Sequence, residues 1–205
     1  MATRRELSIL LALLCLATLW SAIDPHDRLV WWMESLPVFL GLAVLVLTRG
    51  YLPLSRLSYY LLFLFALVLL VGAHYTYGRV PVGEWFQDLL DTSRNHYDRF
   101  GHVLQGLVPA LVAREVLLRL DVVKPGNWLF FLACCVALSI SALYELVEWQ
   151  SAVWGGDSTM EFLGVQGDIW DAQWDMALAL IGAITGQLLF RGLQDRQIAR
   201  NDGNG

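Results

Sequence analysis

The sequence is poor in charge and contains a single lysine, Lys124. Only 16% of its 205 residues are charged, whereas soluble domains average about 25%. Nucleic-acid binding needs clustered lysine and arginine, so no nucleic-acid partner is expected. Apolar residues make up 57% of the chain and the mean hydropathy is +0.51, which favours a membrane protein whose main partner is the lipid bilayer.

Common catalytic motifs are also missing: the chain has no HExxH, GxSxG, CxxC pair or Walker loop. Its three cysteines, Cys15, Cys134 and Cys135, all lie in apolar runs. Adjacent cysteines on a helix point to different sides, and no loop cysteine is available as a partner. We interpret all three as small apolar packing residues rather than as a disulfide or a metal site.

Six apolar stretches are long enough to cross a bilayer, which needs roughly 20 residues per helix. They cover approximately residues 6–23, 30–48, 55–75, 99–120, 127–148 and 174–192. The first lacks a convincing signal-peptide cleavage site and is expected to remain as a span. The fold prediction is an all-α, polytopic membrane helix bundle with one transmembrane domain, residues 1–193, and a polar, disordered cytoplasmic tail, residues 194–205.

The arginine and lysine distribution predicts the orientation, because cytoplasmic loops carry an excess of these residues. With a cytoplasmic N-terminus, ten lie inside: Arg4, Arg5, Arg49, Arg56, Arg114, Arg119, Lys124, Arg191, Arg196 and Arg200. Four lie outside: Arg28, Arg79, Arg94 and Arg99. Both termini are therefore predicted to be cytoplasmic.

Before the fourth span, a segment beginning at Pro81 places Trp85, Phe86, Leu89 and Leu90 at helical spacing. Such a pattern is typical of a short amphipathic helix that lies in the membrane interface. Residues 149–173 form a second long outer connection, rich in glycine and tryptophan. Tryptophans 85, 149, 154, 170 and 174 are expected to act as aromatic anchors at the outer interface.

Acids and histidines recur at the outer ends of five spans, and their spacing places several on one helix face. Asp98 and His102 are four residues apart and Glu145 and Glu148 three apart, so each pair shares a face. Asp168, Asp171 and Asp175 form one stripe if the last helix starts before Asp168. Because charges in hydrocarbon cost about 2.5–3.5 kcal/mol each, we expect them to line an inward-facing polar site together with Glu34 and His74.

Carboxylates with imidazoles suit a divalent cation such as Zn²⁺, Mn²⁺ or Fe²⁺, and they also suit general acid–base catalysis. The predicted metal ligands are His74, His102, Asp98, Glu148, Asp171 and Asp175. The predicted catalytic residues are His102, Asp98, Glu145, Glu148 and Asp175. The predicted substrate-binding residues are Arg94, Arg99, Tyr75 and Tyr144, since arginine pairs well with phosphate or carboxylate groups.

Two other interpretations remain open beside a membrane enzyme or metal site. The polar residues could form a proton-coupled transport path that ends at Arg114 and Glu115, although Ser139, Ser141 and Thr185 are the only polar residues noted in the middle of the last two spans. Alternatively, the polar cluster could only hold the helices together. Gly182 and Gly186 form a GxxxG motif, which predicts close packing against a neighbouring helix.

With these residues in view, the chain resembles the YjdF-like family of bacterial inner-membrane proteins. The resemblance covers about residues 70 to 190. Its motifs are HYTYG at 74–78, RNHYDRFGH at 94–102, PALVARE at 109–115, YELVEW at 144–149 and FLGVQGDIWDAQWDM at 162–176. It implies a multi-pass inner-membrane protein and supplies no reaction.

The chain is also similar, more distantly, to VanZ-like membrane proteins, a family associated with resistance to glycopeptide antibiotics. The likeness lies in the helix start at Asp98 to His102, the helix end at Tyr144 to Gln150, and the helix from Asp171 to Gly186. Arg99 stands where that family usually has lysine. This resemblance implies the same helical architecture and no particular mechanism.

Overall fold

The computed structural model describes residues 2–155 and 166–202, and within these ranges every regular element is a helix. The helices are α1 Arg4–Ala22, α2 Arg28–Thr48, α3 Arg56–Tyr75, α4 Pro81–Leu90, α5 Tyr97–Arg119, α6 Asn127–Gly155 and α7 Asp171–Asp202, with a 3-10 turn at Tyr77–Arg79. In the described ranges, six of them, all except α4, are long and apolar enough to cross a membrane. The predicted six-span helical bundle is therefore confirmed.

The helices begin where the local sequence supplies a cap. Thr3 and Glu6 form a capping box at the start of α1, and Asp27 accepts hydrogen bonds from the first backbone N–H groups of α2. The hydroxyl of Ser55 accepts from the backbone of Ser58 at the start of α3. Such caps satisfy N–H groups that have no partner inside the helix, so they set where each span starts.

The short helix α4 confirms the predicted segment before the fourth span. It begins with Pro81, a residue that suits the first turn because its missing N–H has no helical partner there. Trp85, Phe86, Leu89 and Leu90 are all largely exposed on it. The exposed apolar face is consistent with the interfacial position that the sequence predicts.

The tightest contact in the bundle joins α5 and α7 through glycines. A Cβ atom on Gly106 would collide with the backbone carbonyl of Ala179, and one on Gly182 would collide with the carbonyl of Val103. A Cβ atom on Gly186 would instead collide with the side chain of Leu107. Glycine permits this close backbone approach, and the packing predicted for the GxxxG motif is confirmed.

The last helix corrects the predicted disordered tail. Helix α7 continues to Asp202, so residues 194–202 are helical, while residues 203–205 lie outside the described residues. Gln194 is fully buried and donates to the carbonyl of Leu111 at 2.8 Å. Asp195 pairs with Arg114 at 2.7 Å. These contacts with α5 hold residues that composition alone assigns to a polar tail.

Helices α1 and α2 are arranged differently from the core of α5, α6 and α7. Each packs against α3, and a hydrogen bond from Trp31 to the Ser21 hydroxyl, 2.9 Å long, joins them at one end. Their facing surfaces therefore leave a cleft along the membrane-spanning part of the molecule.

Candidate functional site

Buried acids gather at one end of the bundle, where α3 and α6 end and α2, α5 and α7 begin; we call this the acidic end. The carboxylates with little or no exposure there are Glu34, Asp98, Glu145, Glu148, Asp171 and Asp175. They come from α2, α5, α6 and α7, so four of the five predicted spans contribute. Buried ionisable residues in membrane helices are costly and usually mark a functional site.

His102 lies at the centre of these acids. Its Nε2 atom is 3.5 Å from Oδ1 of Asp98 and 3.9 Å from Oδ2 of Asp175. Its Nδ1 atom is 3.8 Å from Oε1 of Glu145. These separations lie at or beyond the limit of a hydrogen bond. We call Asp98, His102, Glu145 and Asp175 the His102 cluster.

Three members of the His102 cluster present a possible metal-ligand set. One ligand atom each from Asp98, His102 and Asp175 lies within 4.8 Å of the other two. Ligands of a four-coordinate metal bound at 2.0–2.2 Å are about 3.4 Å apart. The limit of 4.8 Å is wider than this spacing, so the three atoms are grouped but not drawn together as around a bound ion.

Several polar atoms in this region are buried without a hydrogen-bond partner in the described part of the chain. They are Oε2 of Glu34, Nδ1 of His102, Oε1 of Gln105, Oε1 of Glu145 and Oδ1 of Asp175. Most buried polar groups in proteins are satisfied, so such exceptions need an explanation. A bound cation or ordered water in the cluster would supply the missing partners.

A cavity of about 100 Å³ adjoins the His102 cluster. Its polar lining residues are Glu34, Tyr77, Asp98, His102, Gln105, Tyr144 and Glu148. One water needs roughly 10–15 Å³ of such space, so the cavity has room for several waters or for one polar group of a ligand. Carboxylate, imidazole, amide and phenol groups thus reach one cavity inside the bundle, which we call the polar chamber.

Tyr77 reaches this chamber because the chain turns back after α3. Thr76, a β-branched residue, has the unusual φ of +67°, and the Tyr77 ring then lies against the Cα atom of Gly72. Desolvation raises the pKa of the Tyr77 phenol well above its usual value. The phenol is therefore neutral and able to donate a hydrogen bond into the cavity.

The two predicted substrate-binding arginines make ion pairs with acids of the site. Arg94 contacts Asp171 at 2.5 Å and Asp98 at 3.4 Å. Burial lowers the pKa of Arg94, but the hydrogen bond and charge of Asp171 outweigh it and raise that pKa. Arg99 pairs with Asp168 at 2.8 Å.

The predicted aspartate stripe needs one correction. Helix α7 starts at Asp171, so Asp168 precedes it and does not belong to the same helical face as Asp175. The backbone N–H of Trp170 donates to its carboxylate at 2.9 Å. A carboxylate just before a helix accepts such local bonds readily, which explains why α7 starts three residues later than the stripe required.

His74 and Tyr75 make their contacts with α1 instead. The His74 ring hydrogen-bonds the carbonyl of Ser21 at 3.1 Å and lies 4.6 Å from the Trp20 ring. Tyr75 contacts the same tryptophan. Neither residue lines the cavity or supplies one of the three grouped ligand atoms.

Two residues that line the chamber are absent from the predicted site, Tyr77 and Gln105, whereas Glu34, which the sequence places in the polar site, also lines it. Gln105 follows His102 by three residues, so helical spacing already places it on the same face. Glu34 lies three residues before Pro37 in an apolar span, which is a signal for function. Nothing in the sequence indicates that Tyr77, rather than Tyr75, turns inward.

A second buried polar group lies at the opposite end of the bundle. Glu115 accepts hydrogen bonds from the backbone and hydroxyl of Ser55, the hydroxyl of Ser58 and the guanidinium of Arg119, at 2.5–2.8 Å. Arg114 instead donates to Gln194 and Asp195. Gln194 also donates to Glu115 at 3.5 Å, so it joins the two residues. We call these residues the Glu115 network.

The six apolar helices and the buried polar chamber define a multi-pass membrane protein. The chain belongs to the family described as "Predicted membrane protein (DUF2238)", whose model matches residues 6–196. It is 48% identical over 187 residues to the inner membrane protein YjdF of Escherichia coli (strain K12), covering 91% of this chain and 90% of that relative. No solved structure matches it.

These comparisons confirm the YjdF-like resemblance and a multi-pass inner-membrane protein. The VanZ-like resemblance stays a prediction.

Proposed function

We propose that Asp98, His102 and Asp175 bind a divalent metal ion, and that the site catalyses acid–base chemistry on an envelope or lipid-linked substrate at the outer leaflet. The observation that carries this proposal is the grouping of three ligand atoms within 4.8 Å, from three buried side chains on α5 and α7. Zn²⁺, Mn²⁺ and Fe²⁺ all accept such carboxylate and imidazole ligands.

The charge balance of the acidic end supports a cation. Six buried carboxylates face one strongly buried guanidinium, that of Arg94, in addition to the imidazole of His102. Like charges held together in a medium of low dielectric constant repel strongly. A divalent cation would neutralise two of these carboxylate charges. It would also give a partner to the Oδ1 atom of Asp175, which has none among the described residues.

The neighbouring residues supply the groups that acid–base catalysis needs. Catalytic metal sites with three protein ligands keep a position for water or substrate. Glu148 and Glu34 line the adjoining cavity, and Glu145 lies 3.8 Å from His102, so these three are candidate proton acceptors. Tyr77 and Tyr144 also line the cavity and could donate hydrogen bonds to a bound substrate.

The distribution of basic residues supports an outward-facing site with both termini in the cytoplasm. Ten arginine or lysine residues lie on the predicted inner side and four on the outer side. Two of those four, Arg94 and Arg99, are also paired with acids of the site. To check this orientation, a single cysteine would be introduced into α4, and its labelling by a thiol-reactive dye added from the periplasmic side would be measured.

The alternatives fit the contacts less well. A transport path would have to connect the His102 cluster with the Glu115 network, but the region between them contains the close Gly106–Ala179 and Gly182–Val103 contacts. Gln187, a further polar residue of the last span, is buried there and donates to Phe130 and Cys134 of α6 and to Ala183 of α7. A purely structural role is disfavoured because partly satisfied buried networks stabilise less than apolar packing.

Metal analysis of protein purified without chelators tests the proposal. We expect about one divalent ion per chain in the wild type, as one three-ligand site implies, and its loss in His102→Ala and Asp175→Asn. His74→Ala is the matched control, because it removes a histidine at the same end that contacts α1 instead. Wild-type protein without metal, or equal loss in His74→Ala, contradicts the proposal.

A further inference from the structure

A second, larger cavity lies between α1, α2 and α3. Its volume is about 240 Å³. Its lining is apolar along most of its length, as at Leu11, Gly41 and Phe63, with Arg49 and Tyr59 as its polar members. We call it the apolar groove.

The apolar groove adjoins the polar chamber. Four residues line both cavities: Pro37, Phe65, Leu69 and Pro109. Two of the four are prolines inside α2 and α5, where proline removes a backbone hydrogen bond and disturbs regular helix packing. An acidic compartment and an apolar compartment therefore meet at one boundary inside the membrane-spanning region.

The groove also borders the lipid. Helices α1 and α2, which form two of its walls, both pack on α3, and the hydrogen bond between Trp31 and Ser21 joins them at the acidic end. Lining residues on both walls are exposed, with Leu11 at 45% and Val46 at 65%. A molecule could therefore enter sideways from the bilayer, without passing through water.

We propose that the groove binds the acyl chain of a membrane lipid whose polar head group occupies the acidic chamber. This inference rests on the proposed function and names its substrate class: a ligand filling both compartments must be amphiphilic. From Pro37 to Arg49 the groove follows α2 for about 18 Å of helical rise. Its volume is below the usual range for small-molecule pockets, roughly 300–1,000 Å³, which suits one chain rather than two.

Gly41 offers a way to fill the groove without touching the polar chamber. A Cβ atom at Gly41 meets nothing within 4 Å, and Gly41 lines the groove only. Leucine is a better helix former than glycine, so Gly41→Leu should fold. Gly192→Leu is the matched control: it too lies in a helix with open space around its Cβ, and it lines neither cavity.

The experiment uses full-length protein in nanodiscs that contain a phospholipid with a photoactivatable group at the end of one acyl chain. After irradiation, mass spectrometry locates the labelled peptides. We expect labelling of the groove-lining segments of α1 and α3 in the wild type and in Gly192→Leu, and its loss in Gly41→Leu. Metal content should be the same in all three proteins.

Equal labelling of the groove segments in Gly41→Leu would show only lipid adhering to the outer surface and would overturn the inference. Labelling by a polyprenyl phosphate probe in place of the phospholipid probe would overturn the acyl-chain assignment. The two proposals fail separately. A metal-free protein with Gly41-dependent labelling refutes the metal site, while a metal-loaded protein without such labelling refutes the lipid groove.

Discussion

The two buried polar groups of this protein differ in how well their members are paired. In the Glu115 network, the carboxylate accepts four hydrogen bonds of 2.5–2.8 Å from the start of α3 and from Arg119 of α5. In the His102 cluster, the nearest acid–imidazole separations are 3.5–3.9 Å, and several buried atoms lack a partner among the described residues. A buried carboxylate with several close donors stabilises a fold, whereas a group of acids without close partners is suited to binding.

The largest expected loss of stability comes from a substitution that breaks the Glu115 network. Glu115→Ala removes the acceptor for Ser55, Ser58 and Arg119 and leaves their donors buried. We expect a loss of about 3–5 kcal/mol in the free energy of unfolding, as for other broken buried pairs. Denaturant unfolding in detergent, followed by circular dichroism, measures it. A loss below about 1 kcal/mol would contradict the structural role assigned to this network.

The next effect concerns the His102 cluster and the metal proposed to bind there. Adding metal at 100 times its dissociation constant should stabilise the wild type by about 2.7 kcal/mol. The gain should vanish in Asp175→Asn, because that variant lacks one proposed ligand. Thermal unfolding with and without metal checks this, with Glu115→Gln as a control that should retain the metal-dependent shift. The same shift in Asp175→Asn would exclude this residue as a ligand.

An intermediate effect is expected where α5 meets α7. Gly106→Ala places a methyl group against the carbonyl of Ala179, and such overpacking costs about 1–3 kcal/mol. Because this contact sets the distance between Asp98 or His102 on α5 and Asp175 on α7, metal affinity should fall too. Gly192→Ala, which meets open space, should destabilise nothing. Unfolding and metal titration of both variants test the coupling.

The smallest expected effect is the change in the free energy of unfolding that Asp175→Asn causes in the absence of metal. Removing one charge from a crowd of unpaired acids relieves repulsion, so the free energy of unfolding should stay the same or rise by up to about 1 kcal/mol. Denaturant unfolding in the presence of a chelator measures this. A loss as large as that of Glu115→Ala would remove the distinction between the two regions.

Much of the fold follows from the sequence through hydrophobic length. Each of the first four spans agrees with its prediction to within two residues. The exceptions have local reasons: α6 extends past Glu148 into a region rich in tryptophan, and α7 extends past Leu193 because Gln194 and Asp195 find buried or charged partners on α5. Polar composition could not reveal those partners.

The sequence by itself determined that acids and histidines lie at one end of a helical bundle, because span length and helical spacing fix depth and face. Only the tertiary structure decided which of them meet. The glycine contacts between α5 and α7 bring Asp175 to Asp98 and His102, whereas α1 engages His74 through Ser21 and Trp20. Neighbours across helices depend on packing distances, and no periodicity within one helix encodes them.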